Sequence, residues 1–336
     1  MELFGIHPKD DLIELAEASF QIVKDIETAN VVVVGASGFL GGWLTSYFAF
    51  LNRMGQFKGT LTLIVRNANS LHEFRTVLST PNTTVLTSSI LENHSFSELN
   101  SDRTIILFAA TSTSTSGLKI SEATGDSIQL AKKLVQKIAR NDLTFVHLSS
   151  GGLYQSDARS RETIPSDFET MKSSDDSYVQ EKLNLENWSR QIHLRGHFEA
   201  RNPRLFSFYG PGLQMDRHYA IAEFMKCALG GVPILIRGNP QNLRSYLYPT
   251  DAISQILQQC LADKPKHGQI GSANPMSILE VAQIISSEFN VPYEIIEDHR
   301  VEIDHYVPLD VPRFDKRDFR MGLRVWAKWL EKGISR

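Results

Sequence analysis

The feature that most constrains this chain is a run of four valines at residues 31–34 that gives way at once to Gly35-Ala36-Ser37-Gly38-Phe39-Leu40-Gly41 and then to an apolar segment of helical spacing. Three glycines at intervals of three, set between a continuous apolar strand and a helix, answer three separate steric demands. The first permits a tight turn, the second lets backbone N–H groups approach a diphosphate, and the third lets helix and strand touch. A helix start also presents unsatisfied donors and partial positive charge to an anion. Gly35, Ser37, Gly38, Phe39, Leu40 and Gly41 are therefore the expected cofactor loop of a dinucleotide site. An ordinary glycine-containing turn would share the glycines but not the flanking elements.

Further apolar runs at 60–65, 84–86, 104–110 and 143–150 alternate with helix-like segments at about 39–53, 70–79, 121–140 and 176–195. Strands that are apolar throughout, separated by amphipathic helices, predict a parallel sheet covered on both faces. The expected fold class is α/β, a Rossmann-type doubly wound parallel sheet with a smaller C-terminal substrate-binding lobe. Ahead of the first strand, residues 11–27 place Leu12, Leu15, Ala16, Ser19, Val23 and Ile26 at helical spacing, which predicts an amphipathic helix that caps the core or serves a partner subunit. Beyond residue 200, glycine and proline interrupt shorter elements, as in Gly210-Pro211-Gly212. Three regions follow: 1–29 as an N-terminal helical extension, 30–200 for the dinucleotide, and 201–336 mainly for substrate, with part of the chain returning to the main sheet. The stretch 111–116 (TSTSTS), directly after a strand, is a polar loop by default and a ligand-contacting loop in the sharper reading.

A formal charge of -3, with 42% apolar and 22% charged residues, describes a soluble globular chain and gives no electrostatic reason to expect nucleic acid. The two cysteines, Cys227 and Cys260, lie in apolar stretches, so they are expected reduced and buried, with no disulfide framework. No basic segment followed by an apolar core opens the chain, and no run nears the roughly 18 apolar residues of a membrane span, so a cytoplasmic protein is expected. His-Glu-x-x-His, Cys-x-x-Cys and Gly-x-x-x-x-Gly-Lys are all missing, and no metal is expected. His147 in its apolar strand is a core residue, Asp251 a helix N-cap, and Trp326 and Trp329 are packing residues of a C-terminal helix.

Tyr178 and Lys182 stand four apart in a helical segment and so share a face. They follow a strand that ends in Ser149 and Ser150. Hydride transfer at a carbinol must be matched by movement of the hydroxyl proton, and a phenol with a pKa near 10 is too weak a base at neutral pH. Lowering it by three units takes about 4 kcal/mol, which the Lys182 ammonium and an oxidised nicotinamide could supply together. Ser150 would hold the substrate oxygen, and Lys182 would also bond the nicotinamide ribose. At the end of the second strand, where an acidic residue usually accepts from the adenosine ribose of NAD, this chain has Arg66. A guanidinium binds a 2′-phosphate instead, so NADP is the expected cofactor and NAD the second choice. The plainer alternative is that Arg66 stacks on the adenine or points to solvent.

GASGFLG, SSGGLY, YVQEK, RLFSFYGP, LRSYLYPTDA and the closing VPLDV and WAKWLEKG together resemble the extended short-chain dehydrogenases of the NAD-dependent epimerase/dehydratase family, which modify nucleotide sugars. The likeness runs from about residue 30 to 333. It implies Ser150, Tyr178 and Lys182 as the catalytic set, and Ser89, Ile90, Ala109 and Ala110 beside the glycine loop, Arg66, Tyr178 and Lys182 as cofactor contacts. Ser150, Gly151, Tyr178, Ser207 and Arg244 would face the nucleotide-sugar substrate, with Arg244 on its diphosphate. The implied activity is hydride transfer at sugar C4, as a 4-keto reductase or a 4-epimerase. A homodimer would form through segments 121–140 and 176–195. Ser207 stands where many relatives have an Asn that contacts the sugar phosphate, and Ser89 where an Asp near the adenine is frequent. Gly151 and Gly152 stand where 4,6-dehydratases carry an acid pair, which argues against elimination, and the usual Glu of the decarboxylases is also missing. A dehydratase or decarboxylase of the same family, a reductase of a non-nucleotide carbonyl, and a non-catalytic dinucleotide-binding protein are the alternatives.

Overall fold

Valines 31 and 33 point into one hydrophobic cluster and valines 32 and 34 into another, each side chain essentially without solvent contact. That alternation is what a strand covered by helices on both faces requires. The computed structural model describes residues 1–87, 89, 93–111, 120–138, 142–216, 219–261, 268–296, 303–313 and 315–333. Among the described residues six strands form the central sheet: Asn30–Val34, Leu61–Val65, Thr83–Thr87, Arg103–Phe108, Asp142–His147 and Glu199–Arg201. All pair in parallel, and counted in chain order they lie 3-2-1-4-5-6. Strand order therefore reverses between the first and fourth strands, and a doubly wound sheet opens its ligand crevice at that point.

The helices Phe39–Arg53, Ile120–Ile138 and Ser177–Leu194 match their sequence expectations closely. The segment expected at 70–79 is a 3-10 helix, Ala68–Phe74, followed by the short helix Arg75–Leu78. The sixth strand had no expectation behind it. Its Glu-Ala-Arg sequence is half-buried at the sheet edge and carries no apolar run to betray it. The apolar run at 143–150 divides at Leu148. Ser149–Ser150 leaves the central sheet and pairs in parallel with Arg204–Leu205, which in turn pairs with Gln269–Ile270. The chain after residue 203 thus returns to Ser149–Ser150 rather than to the six strands.

Residues 11–27 fold as two helices, Lys9–Ala18 and Phe20–Asp25, broken at Ser19, whose hydroxyl bonds back to Leu15 O and to the Tyr47 hydroxyl at 2.7 Å. A serine that bonds its own preceding turn competes with helix continuation. Leu12, Leu15 and Val23 are buried in this chain's own core, and Trp329 donates its indole N–H to Ile6 O at 2.6 Å. The N-terminal segment thus packs on the C-terminal helix Phe319–Leu330, where Trp326 and Trp329 are fully buried. Two expectations change. Asp251 lies inside the helix Pro249–Leu261 and is not its N-cap; its carboxylate accepts the backbone N–H groups of Lys316 and Arg317 at 3.3 and 3.0 Å. Cys227 is a free thiol but only half-buried, because its helix turns that position toward the surface. The side chain of Cys260 lies outside the described residues.

Candidate functional site

At the reversal of strand order the glycines do distinct work. Gly35 adopts φ +78°, a region costly for residues with a Cβ, and a Cβ there would lie 2.9 Å from both Cα and N of Ala110. On Gly41 a Cβ would overlap the carbonyl oxygen of Gly35 and lie 2.8 Å from its carbonyl carbon. Helix and loop can approach this closely only because that methyl is missing. Gly38 is different. It is exposed, and a Cβ there would meet only Gly35 O, at 3.2 Å. Its missing side chain therefore keeps a cradle clear at the start of the fifteen-residue helix Phe39–Arg53. That cradle fits a dinucleotide diphosphate. Ala109 and Ala110 follow the fourth strand and form the opposite lip, with Ala109 N–H bonded to Val34 O at 2.9 Å. Arg66 is exposed immediately after the second strand, and Ser89 is exposed beyond the third, its hydroxyl 2.9 Å from that of Thr87. Ile90 lies outside the described residues, as does most of the 111–116 loop.

Beyond the fifth strand, Lys182 is buried and donates to Leu148 O at 2.6 Å. Leu148 N–H in turn donates to Phe108 O at 3.0 Å, two residues before Ala110. The lysine is thus pinned to the same strand ends as the glycine loop. Burial pulls its pKa down to about 8, opposed by the neighbouring Glu181 charge. Its Nζ lies 5.9 Å from the centre of the Tyr178 ring, as the four-residue spacing requires. Tyr178 occupies the first turn of its helix, which Asp176 caps by accepting the N–H groups of Tyr178 and Val179 at 2.8 and 3.1 Å. By surface area Tyr178 is half-buried. Burial raises its pKa above the ordinary phenol value, and nearby Tyr306 adds to the rise, while a hydrogen bond with Ser150 works against it. Ser150 Oγ also accepts Gly152 N–H at 3.1 Å. Ser150, Tyr178 and Lys182, expected together, are brought together.

His147, fully buried beside Lys182, bonds Asn202 at 3.2 Å and is held well below the ordinary imidazole pKa, first by burial and then by the lysine charge. It is a neutral core residue. Among the described residues no group of three His, Cys, Asp or Glu side chains could hold a metal ion.

Gly151 packs tightly: a Cβ there would lie 2.8 Å from Phe206 Cζ and 2.9 Å from the Tyr306 hydroxyl. Ser207 is half-buried in the strand Ser207–Phe208, paired with Tyr246–Leu247. Arg244 reaches Asp304 Oδ2 at 2.7 Å, and Arg159 holds the other oxygen at 2.9 Å. Burial would raise the Asp304 pKa, but the two guanidiniums outweigh it and hold the carboxylate low. Arg159 also stacks 4.9 Å from the Tyr306 ring.

Sequence reasoning missed Tyr306, Arg159 and Asp304, and with them the brace behind Ser149. There the buried Glu186 accepts from Ser149 Oγ at 2.8 Å and from Arg204 at 2.7 Å. Tyr306 stands 156 residues from Ser150, and nothing in its local sequence, IDHYVPLD, signals a role. Glu186 and Arg204 looked like ordinary charged residues of a helix and a loop.

Comparison with known proteins agrees with this geometry. The family model described as NAD dependent epimerase/dehydratase family matches residues 31–271. The chain is 22% identical over 108 residues to UDP-glucuronic acid decarboxylase 4 of Arabidopsis thaliana, a match covering 32% of this chain and 24% of that protein. It is 26% identical over 206 residues to dTDP-4-dehydro-6-deoxy-D-allose reductase of Streptomyces bikiniensis, covering 55% of this chain and 60% of the relative. The chain thus spans about a quarter of one curated relative and 60% of the other. In fold it is similar to dTDP-glucose 4,6-dehydratase from Bacillus anthracis, solved in complex with NAD, at TM-score 0.72 and 18% identity over 91% of this chain and 98% of that one. No helix among the described residues is long and apolar enough to cross a membrane. With the glycine loop, the strand order and the matched span in agreement, the chain belongs to the NAD-dependent epimerase/dehydratase family of enzymes.

Proposed function

We propose that this enzyme transfers a hydride at C4 of a nucleotide-diphosphate sugar, first as a 4-keto reductase, with 4-epimerisation as the outcome if the keto sugar turns over in the site. The observation that carries the reading is the convergence of Ser150, Tyr178 and Lys182 at the strand ends beside the glycine loop. Residues 30–200 would hold the dinucleotide and 201–336 would shape the sugar pocket. When bound, the nicotinamide supplies or accepts the hydride. Gly35, Ser37, Gly38, Phe39, Leu40 and Gly41 would hold its diphosphate, with Ala109 and Ala110 opposite, while Ser89 and Arg66 would lie toward the adenosine. Arg66 supports NADP, through paired bonds to a 2′-phosphate; the family description and the NAD complex of the similar structure support NAD.

Ser150 orients the substrate oxygen, and Tyr178 delivers or removes its proton. With burial holding the Tyr178 pKa high, the phenol keeps its proton in the protein alone, which suits it to protonate the oxygen formed in reduction. Lys182, with a pKa of about 8, is mostly charged at neutral pH and lowers the cost of the phenolate left behind. Arg244 would bind the sugar diphosphate, Gly151 leaves room beside Ser150, and Ser207 lines the pocket. Likeness to the reductase of Streptomyces bikiniensis supports reduction. A homodimer through the helices Ile120–Ile138 and Ser177–Leu194 is part of the proposal, and size-exclusion chromatography checks it.

The test follows reduced-nicotinamide consumption with UDP- and dTDP-4-keto sugars. Tyr178→Phe is expected to lower kcat by about 10²–10⁴-fold. Arg244→Ala should raise KM for the nucleotide sugar and leave small ketones unaffected. Full turnover in Tyr178→Phe sinks the assignment, and unchanged nucleotide-sugar binding in Arg244→Ala sinks the substrate class.

A further inference from the structure

Two tyrosines, not one, converge on Ser150. Tyr306 Oη lies 3.4 Å from Ser150 Oγ and donates its single proton to Leu205 O at 3.2 Å. Having spent that proton, the Tyr306 oxygen can only accept from Ser150. Ser150 has one proton and two acceptor sites. One acceptor site is taken by Gly152 N–H at 3.1 Å, and the single proton can go either to the Tyr306 oxygen or to Tyr178, whose pKa a hydrogen bond from Ser150 lowers. While that proton rests on Tyr306 it is withheld from Tyr178. A side chain at residue 151 would collide with the Tyr306 hydroxyl at 2.9 Å, so Gly151 is what admits this second phenol. The ring is fixed on both sides, by Phe206 at 4.6 Å and by the Arg159 guanidinium at 4.9 Å.

We propose that Tyr306 is a positioning residue that acts through Ser150: it holds the Ser150 proton while Tyr178 is a phenol and releases it to Tyr178 when Tyr178 becomes a phenolate. The change is a rotation of the serine hydroxyl about its Cβ–Oγ bond, and no covalent bond is made or broken. Tyr306 therefore favours the protonated state of Tyr178, which is the state a reductase needs before it protonates its product. The inference rests on the assignment of Tyr178 as the acid/base. Other groups facing Tyr178 are Lys182 and Glu181 of its own helix and Tyr219, while Arg159 and Arg244 face Tyr306. None of these changes in the substitution that tests the idea.

The experiment is a pH titration of tyrosinate absorbance on the NAD⁺-saturated protein, where the step belonging to Tyr178 is the one that Tyr178→Phe removes. Tyr306→Phe keeps the ring packing and deletes only the oxygen. It should move the Tyr178 step down by about half to one pH unit, the worth of one ordinary hydrogen bond. In a Ser150→Ala background the same substitution should leave the step where it is, because the link has been cut. A shift of equal size with and without Ser150 would mean a through-space or structural effect, and no shift at all would remove Tyr306 from the site; either overturns the inference while leaving Tyr178 in place. If Tyr178→Phe removes no step, the acid/base assignment falls, and the inference with it.

Discussion

The three glycines of the cofactor loop should separate into two classes when each is replaced by alanine. At Gly41 the new carbon overlaps the Gly35 carbonyl oxygen and lies 2.8 Å from its carbonyl carbon, and both contacts are with backbone. Ordinary contact begins near 3.4 Å, so the helix must withdraw from the strand by about 0.6 Å or more against a packed core, and overpacking of this kind costs about 1–3 kcal/mol. Backbone cannot swing aside as a side chain can, which places the cost near the upper end, at about 3 kcal/mol. For a chain of this length that is a fall of about 4 °C in Tm. Gly35→Ala should do as much, through its φ of +78° and its 2.9 Å approach to Ala110. At exposed Gly38 the single contact is 3.2 Å, and alanine there should cost less than about 1 kcal/mol. Cofactor affinity should respond differently, because the Gly38 methyl would fill the cradle and weaken NAD or NADP binding about tenfold or more. Thermal unfolding without cofactor, paired with fluorescence titration of each dinucleotide, reads both quantities. The reasoning is refuted if Gly41→Ala unfolds at the wild-type temperature, or if Gly38→Ala loses as much cofactor-free stability as Gly41→Ala.

Cofactor choice and pH dependence give two more outcomes. Arg66→Ala should weaken NADP by about 10–100-fold, the worth of a charge-assisted pair, and leave NAD within about twofold, as read by competitive titration; equal losses for both would mean that Arg66 only stacks or faces solvent. Asp11 is buried where Tyr248 donates to it at 2.6 Å and Arg317 at 2.8 Å, and burial outweighs both, raising its pKa from 3.8 to about 6. A carboxyl whose folded pKa is raised adds stability that is complete below its unfolded pKa and disappears as pH rises through its folded value. The contribution to be lost between about pH 4 and pH 6 is about 3 kcal/mol. Urea unfolding of wild type and Asp11→Asn should therefore diverge across that window, and parallel curves would show that Asp11 titrates normally.

How much of this was legible in the sequence depended on the range of the interaction involved. Glycine conformation, the apolar strands and the helical spacing of Tyr178 and Lys182 are local properties, so the dinucleotide loop and the parallel sheet could be located from residues 31–182 alone. Where a strand lacks an apolar run, as in Glu199–Arg201, or where a serine breaks a helix, as at Ser19, the pattern falls silent because tertiary pairing decides. The same holds for the partners of Ser150. Its strand leaves the main sheet at Leu148 to pair with Arg204–Leu205, and that pairing carries Leu205 O to the place where Tyr306 donates its proton. The sequence by itself located the glycine loop of a nicotinamide-dinucleotide family and pointed to Tyr178 and Lys182 as the side chains proposed to move a proton. Only the tertiary structure decided what competes for the Ser150 proton, because Tyr178, Leu205 and Tyr306 come from three distant segments whose approach no local spacing encodes.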